Sequence, residues 1–417
     1  RIMRSLLLTL ALVGAASASP LWDYVHKFDP TYTWSNTGIV INETGLGWTG
    51  YLLNMTSQTW MGPQYVDRYV WSHQLLVVVP DNIRDYEHAA LYITGGSDNA
   101  GTPDPYSEDV LFSGILASAT GTVCATLWQI PNQPLHFTGD PVQPPKSRSE
   151  DAAVAFTWWD FLHHTDEPER ILYFPMTKAA VRAMDTVQAF AKHVVRGSAI
   201  SKWLVSGASK RGWITWLTGA VDDRVIGIAP IVMDLLNFDI NINHMYKAYG
   251  GWTFAFEDYC DMNITGYLTD QTAIQTLAGQ IDPLVYKDNL TMPKLVIDST
   301  GDEFFMPDDD HYWWGMLPGE TYRLMVTNAE HSFATGVIPL ITGLDAFYQS
   351  LISNTPRPVM SWSMSMTDDN TTGTIELVTQ QKPDKVVLRY SQTLDAKRRD
   401  FRLVRGDTPA DPCKPRG

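Results

Sequence analysis

The chain has 417 residues, of which 44% are hydrophobic and 18% charged, a balance that excludes a disordered polymer and can supply a large core. A formal net charge of -15 argues against a nucleic-acid partner, because phosphate binding starts from a basic footprint. Three cysteines are too few for a disulfide framework.

In chain order, residues 1–18 read as a secretory leader. Arg1 and Arg4 flank the start, "SLLLTLALVG" is apolar, and "AASASP" offers small residues for cleavage after Ala18. The stretch is too short to span a bilayer as a helix, and no later segment reaches about 18 consecutive apolar residues. A secreted chain without a membrane span is therefore expected. Sequons at Asn42, Asn54, Asn263, Asn289 and Asn370 agree with that compartment. Cys124, in the apolar "GTVCATLWQI", reads as a buried thiol, and a Cys260–Cys413 bridge is open.

The runs "GYLLNMTSQTW" and "YVWSHQLLVVVP" predict neighbouring antiparallel strands. The rhythm then changes. Short apolar runs in "AALYITGG", "GTVCATLWQIP", "SKWLVSG", "RVIGIAPIVM", "PKLVIDSTGDEF" and "TYRLMVTNAEH" alternate with helical patterns. In one of these, Ala180, Met184, Val187, Phe190 and Ala191 recur at helical steps, with Thr177 as the expected N-cap. Strands alternating with helices predict an α/β fold, a mainly parallel sheet covered on both faces. Residues 234–290, rich in aromatics and without a strand signal, read as an inserted cap. From residue 357 to 417, "GTIELVTQQ", "KVVLRYSQT" and "RDFRLVRG" suggest a small β-rich domain after a main domain over 19–356.

In such sheets chemistry gathers beyond the carboxyl ends of the strands. Ser209 follows "KWLVSGA", Asp302 follows "KLVIDSTG" and His331 follows "YRLMVTNAE". That is the chain order of nucleophile, acid and base in α/β-hydrolases. A serine hydroxyl needs a base to take its proton, and the base needs an orienting acid. Glu303 is the nearest rival to Asp302, while Asp308, Asp309 and Asp310 read as a solvated helix start. The N–H groups of Lys210 and of Gly96 or Ser97 in "TGGSDN" are candidates for an oxyanion hole. Lys210 and Arg211 place two cations in the first turn of a helix, against its dipole. Arg211 could instead face a substrate carboxylate. From the cap, Trp252 and Glu257 are candidate substrate contacts, Glu257 or Asp258 for a substrate amine. The ten histidines and three cysteines show no metal spacing, and no cofactor is expected.

The blocks "LWQIPNQPLHF", "SEDAAVAFTWW", "FPMTKAAVRAMDTVQAF", "SGASKRGWITWLTGAVDDRVIGIAPIVMD", "GDEFFMPDD" and "NAEHS" closely resemble the PhoPQ-activated pathogenicity-related protein family, from about Tyr51 onward. The resemblance implies an α/β-hydrolase fold and places the family's serine, acid and histidine blocks on Ser209, Asp302 and His331. It makes Lys210 and Arg211 a family feature rather than a degraded G-x-S-x-G, whereas Thr327 stands where proline is expected. The family includes secreted autocrine proliferation repressors of amoebae. Two functions follow: a secreted serine hydrolase acting on a small ester or peptide, or a signalling protein whose hydrolase fold binds a cell-surface receptor.

Overall fold

The computed structural model describes residues 19–42, 45–268, 270–393 and 398–402. The expected leader and Cys413 lie outside the described residues. A short helix α1 (Pro20–His26) precedes three antiparallel strands, β1 (Thr33–Ile41), β2 (Trp48–Thr59) and β3 (Val70–Pro80). An alternating region follows: β4 (His88–Ile93), α2 (Glu108–Thr120), β5 (Val123–Leu127), α3 (Glu150–His163), α4 (Tyr173–Val194), β6 (Lys202–Ala208), α5 (Lys210–Val221) and β7 (Val225–Ile231). Between β7 and β8 lie four helices, α6 (Phe238–Tyr249), α7 (Glu257–Asp261), α8 (Ile264–Tyr267) and α9 (Gln271–Ile281). The chain continues through β8 (Lys294–Ser299), β9 (Thr321–Val326), α10 (Val337–Ile352), β10 (Met360–Met366) and β11 (Gly373–Thr379).

Nine strands form one sheet in the order β1-β2-β3-β5-β4-β6-β7-β8-β9, and the pairs from β5 to β9 are all parallel. Alternation along the strands feeds two cores. Leu75 and Val77 enter the cluster beneath α4 and α5, whereas Leu76 and Val78 enter the one beneath α2 and α10. Burial of both faces explains why these strands read as continuous apolar runs. The chain places β5 on one side of β4 and β6 on the other. That reversal opens a crevice at the carboxyl ends of β4 and β6.

Three expectations need correction. Thr177 does not cap α4; the helix begins a turn earlier, and the buried Thr177 hydroxyl donates to the Tyr173 carbonyl at 2.8 Å. Pro175 stands third in the helix, where proline is tolerated because first-turn N–H groups lack helical partners. "KVVLRYSQT" forms no strand, and Val386, Val387, Leu388 and Tyr390 stand exposed; alternation alone cannot hold a strand without a hydrogen-bonded neighbour. What is described of the last region is the β10–β11 hairpin, with Met360, Trp362, Met364, Ile375 and Leu377 on one exposed face. Asp309, expected in solvent, is fully buried.

Candidate active site

Ser209 sits between β6 and α5 with φ 57° and ψ -126°, a backbone state that costs a non-glycine residue about 1–3 kcal/mol. Its N–H is held by the Ile231 carbonyl at 2.9 Å. The turn is tight because glycine stands on both flanks. A Cβ on Gly207 would lie 2.8 Å from the Arg211 carbonyl oxygen, and one on Gly212 would lie 2.7 Å from the Met233 Cβ. The second small position is therefore Gly212, three residues past the serine, and Arg211 fills the place where G-x-S-x-G has its last glycine.

The structure brings Ser209, His331 and Asp302 together. Ser209 Oγ lies 2.8 Å from His331 Nε2, and His331 Nδ1 lies 2.8 Å and 3.0 Å from the two Asp302 oxygens. An ionised carboxylate only accepts, so Nδ1 carries the proton and Nε2 is left to accept from the serine hydroxyl. Asp302 is buried and also accepts from the Phe304 and Phe305 N–H groups at 2.7 Å and 3.0 Å. Glu303, the rival acid, takes the backbone N–H of His331 instead, at 3.2 Å. The Phe304 ring covers the imidazole, with centroids 4.4 Å apart. Burial disfavours the imidazolium, but the Asp302 and Glu303 carboxylates outweigh it and raise His331 above its ordinary pKa.

The N–H of Lys210 opens α5, where first-turn donors have no intrahelical acceptor. Gly96, in the loop after β4, has φ 115°, a conformation that favours glycine. The loop is strapped from beneath. Arg211 donates through Nη1 and Nη2 to the two Glu150 oxygens at 2.8 Å and 2.6 Å, and through Nε to the Ile130 carbonyl at 2.5 Å. Its guanidinium lies against Gly95, where an added Cβ would be 2.5 Å from Nη2. Gln133 bridges the Gly96 carbonyl at 3.2 Å and Glu150 at 2.6 Å. Lys210 Nζ reaches Glu150 at 2.8 Å and Asp151 at 3.1 Å. Burial acts to raise the Glu150 pKa, but Arg211 and Lys210 override it and hold this carboxyl far below its usual range.

Arg211 thus corrects the expectation of a substrate contact: its donors are committed to Glu150 and Ile130. Trp252 is buried between Tyr246 and Phe256, with ring centroids 4.9 Å and 5.1 Å away, and does not line the cavity at Ser209. Glu257 stands exposed in the first turn of α7 and does not line it either. The cavity is instead walled by Trp213 and Tyr173 from the sheet side and by Phe238, Ile242, Phe256 and Tyr259 from the insertion between β7 and β8. Glu150, Asp151 and Gln133 escaped the sequence reading. Glu150 left one signal, its place in the block "SEDAAVAFTWW". Its φ of 52° matches a concentration of strained residues near the site that includes Gln129, Ser209, Val232 and Phe333. Among the described residues, no three His, Cys, Asp or Glu side chains are placed to hold a metal ion, and no helix is long and apolar enough to cross a membrane.

A mainly parallel sheet with helices on both faces and a strained serine at a strand-to-helix turn define the α/β-hydrolase class. The chain belongs to the PhoPQ-activated pathogenicity-related protein family, whose model matches residues 21–402 and so takes in α1 and β1, ahead of the expected start near Tyr51. It is 40% identical to autocrine proliferation repressor protein A of Dictyostelium discoideum over 405 residues, 96% of this chain and 79% of that relative. Two solved structures share the fold. Acetyl xylan esterase 1 from Thermoanaerobacterium sp. JW/SL YS485 matches with a TM-score of 0.50 and 14% identity over 79% of this chain and 91% of its own. The acetyl xylan esterase from Paenibacillus sp. R4 gives 0.51 and 13% over 78% and 93%.

Proposed function

We propose that the protein is a secreted serine hydrolase that cleaves a small ester or peptide through an acyl-enzyme. The observation that carries this reading is the 2.8 Å contact between Ser209 Oγ and His331 Nε2, with Asp302 on the opposite ring nitrogen. As Oγ attacks the carbonyl carbon, Nε2 takes its proton and the carbonyl π pair moves onto oxygen. The N–H groups of Lys210 and Gly96 receive that oxyanion; one such donor is worth about 10²–10³ in kcat. Collapse expels the leaving group, which takes the proton from Nε2, and water repeats the sequence to free the acid. The test is labelling with a fluorophosphonate probe beside a screen of chromogenic esters and aminoacyl substrates. Wild type should label and turn over one substrate class, and Ser209→Ala should do neither. Equal labelling of the two proteins would sink the enzyme reading.

The name of the Dictyostelium relative supports a second reading, in which the fold also signals to cells through a surface receptor. If Ser209→Ala still restrains cell proliferation at full strength, that role does not depend on hydrolysis.

A further inference from the structure

Two cavities reach the triad from different sides, and their contacts with it differ. One, of about 30 Å³, touches Ser209, Lys210 and Asp151 and is otherwise aromatic and aliphatic. The other, of about 210 Å³, touches His331, Ser332 and Phe333 and runs between α2 and α10. Its walls are Phe112, Leu340 and Ile341 with Ala208 beside the serine, and Glu108 and Asp109 stand on the α2 side. Val337, at 38% exposed, marks its open end.

Resting on the hydrolase reading above, we propose that the small cavity takes the acyl group and the groove between α2 and α10 takes the leaving alcohol. The substrate class is then a short-chain carboxylic ester of an apolar, non-anionic alcohol. The assignment follows from the four substituents of the tetrahedral intermediate. One bond runs to Ser209 Oγ, and the oxyanion turns to the Lys210 and Gly96 N–H groups. The leaving oxygen must receive its proton from His331 Nε2, so its alkyl group departs on the side His331 lines. That side is the larger cavity, and the acyl substituent is left with the cavity at Ser209 and Lys210.

Size supplies the selectivity. A cavity of about 30 Å³ is about a fifth of the roughly 150 Å³ that accommodates benzene in an apolar cavity, which suits a two-carbon acyl group and not a long chain. A groove of about 210 Å³ exceeds the roughly 150 Å³ that accommodates benzene in an apolar cavity. The carboxylates of Glu108 and Asp109 disfavour an anionic leaving group.

The experiment measures kcat/KM of the full chain on two series, with fluorophosphonate labelling alongside. With p-nitrophenol held constant, acetyl should be preferred to hexanoyl by at least about tenfold, the least that a misfit in an apolar pocket gives. With acetate held constant, 2-phenylethyl acetate should be preferred to methyl acetate by a similar factor. Val337→Trp, which fills the open end of the groove, should remove the alcohol preference at an unchanged melting temperature. Because the two wild-type series are decisive alone, an unstable variant does not shield the proposal. A labelled protein with a flat alcohol series, or one that prefers hexanoyl, overturns the assignment and leaves the hydrolase reading standing. No labelling and no turnover of any ester overturns both.

Discussion

At the residue scale, the site depends on which proton His331 carries and when. On the proposed hydrolase reading, Nε2 must be neutral to accept from Ser209, so kcat/KM should rise as pH climbs through the histidine's pKa. Burial opposes the charge but Asp302 and Glu303 prevail, so the acid limb of a pH–rate profile should fall above the ordinary imidazole value of about 6.5. The same shift contributes stability that is fully present below about 6.5 and lost as pH rises through the folded value. Asp302→Asn should lower kcat by about 10⁴ with little change in melting temperature, because the amide can donate to Nδ1 and favours the wrong tautomer. A variant retaining wild-type kcat would remove Asp302 from the mechanism.

At the scale of elements, the strap joining α5, α3 and the loop after β4 explains the two cations that looked misplaced against the α5 dipole. Glu150→Gln would leave Lys210 and Arg211, 8% and 11% exposed, without their shared counter-charge. We expect about 1–3 kcal/mol of destabilisation, less than for a fully buried pair because Glu150 is 41% exposed. Denaturant unfolding reads that cost, and a fall in kcat with KM near wild type would report a displaced Gly96. A second network joins β8, β9 and the loops beside them. Arg323 reaches Asp234 and Asp298, each at 3.3 Å, and also contacts Asp310, while Asp309 is buried close by. Burial, only partly offset by Arg323, raises Asp298 to about 7 and keeps Asp234 and Asp309 well above the usual carboxylate range. A raised carboxyl favours the folded state while protonated. The network's share of the unfolding free energy should therefore decline as pH rises from about 4 through about 7, and an Asp298→Asn protein whose curve falls as steeply as wild type over that window would contradict it.

At this scale one sees what could be read in advance. The strands from β4 to β8 were legible as apolar runs because both sheet faces are buried, and the half-buried edge strand β9 kept enough of the same pattern. Ser209, Asp302 and His331 were legible because parallel strands deliver their carboxyl ends to one edge. Glu150 was not, since its contact with Arg211 spans 61 residues and leaves no periodic trace. Asp309 was misread because local acidity looks alike in solvent and around a buried arginine. The two cavities had no linear signature, since residues from several elements shape each one.

Across the whole molecule, the nine-stranded sheet and its two cores carry the site, and the β10–β11 hairpin stands outside both cores. A lone hairpin is marginal in water, and residues 353–359 before it have no regular structure. Low-dose proteinase K should nick within 353–359 while Ser209 remains reactive to the probe. The pieces should still co-elute, because Arg399 pairs with Asp308 at 2.7 Å and Arg402 lies 4.5 Å over the Tyr249 ring. Loss of labelling on nicking would mean that the hairpin supports the site. The insertion between β7 and β8 has a different consequence. It leaves and rejoins the sheet on neighbouring strands, where Ile231 and Ile297 stand in register, yet it supplies Phe238, Ile242, Phe256 and Tyr259 to the wall facing Ser209. The side chains of that wall can therefore change without disturbing the strand register that delivers Ser209, Asp302 and His331 to one edge of the sheet.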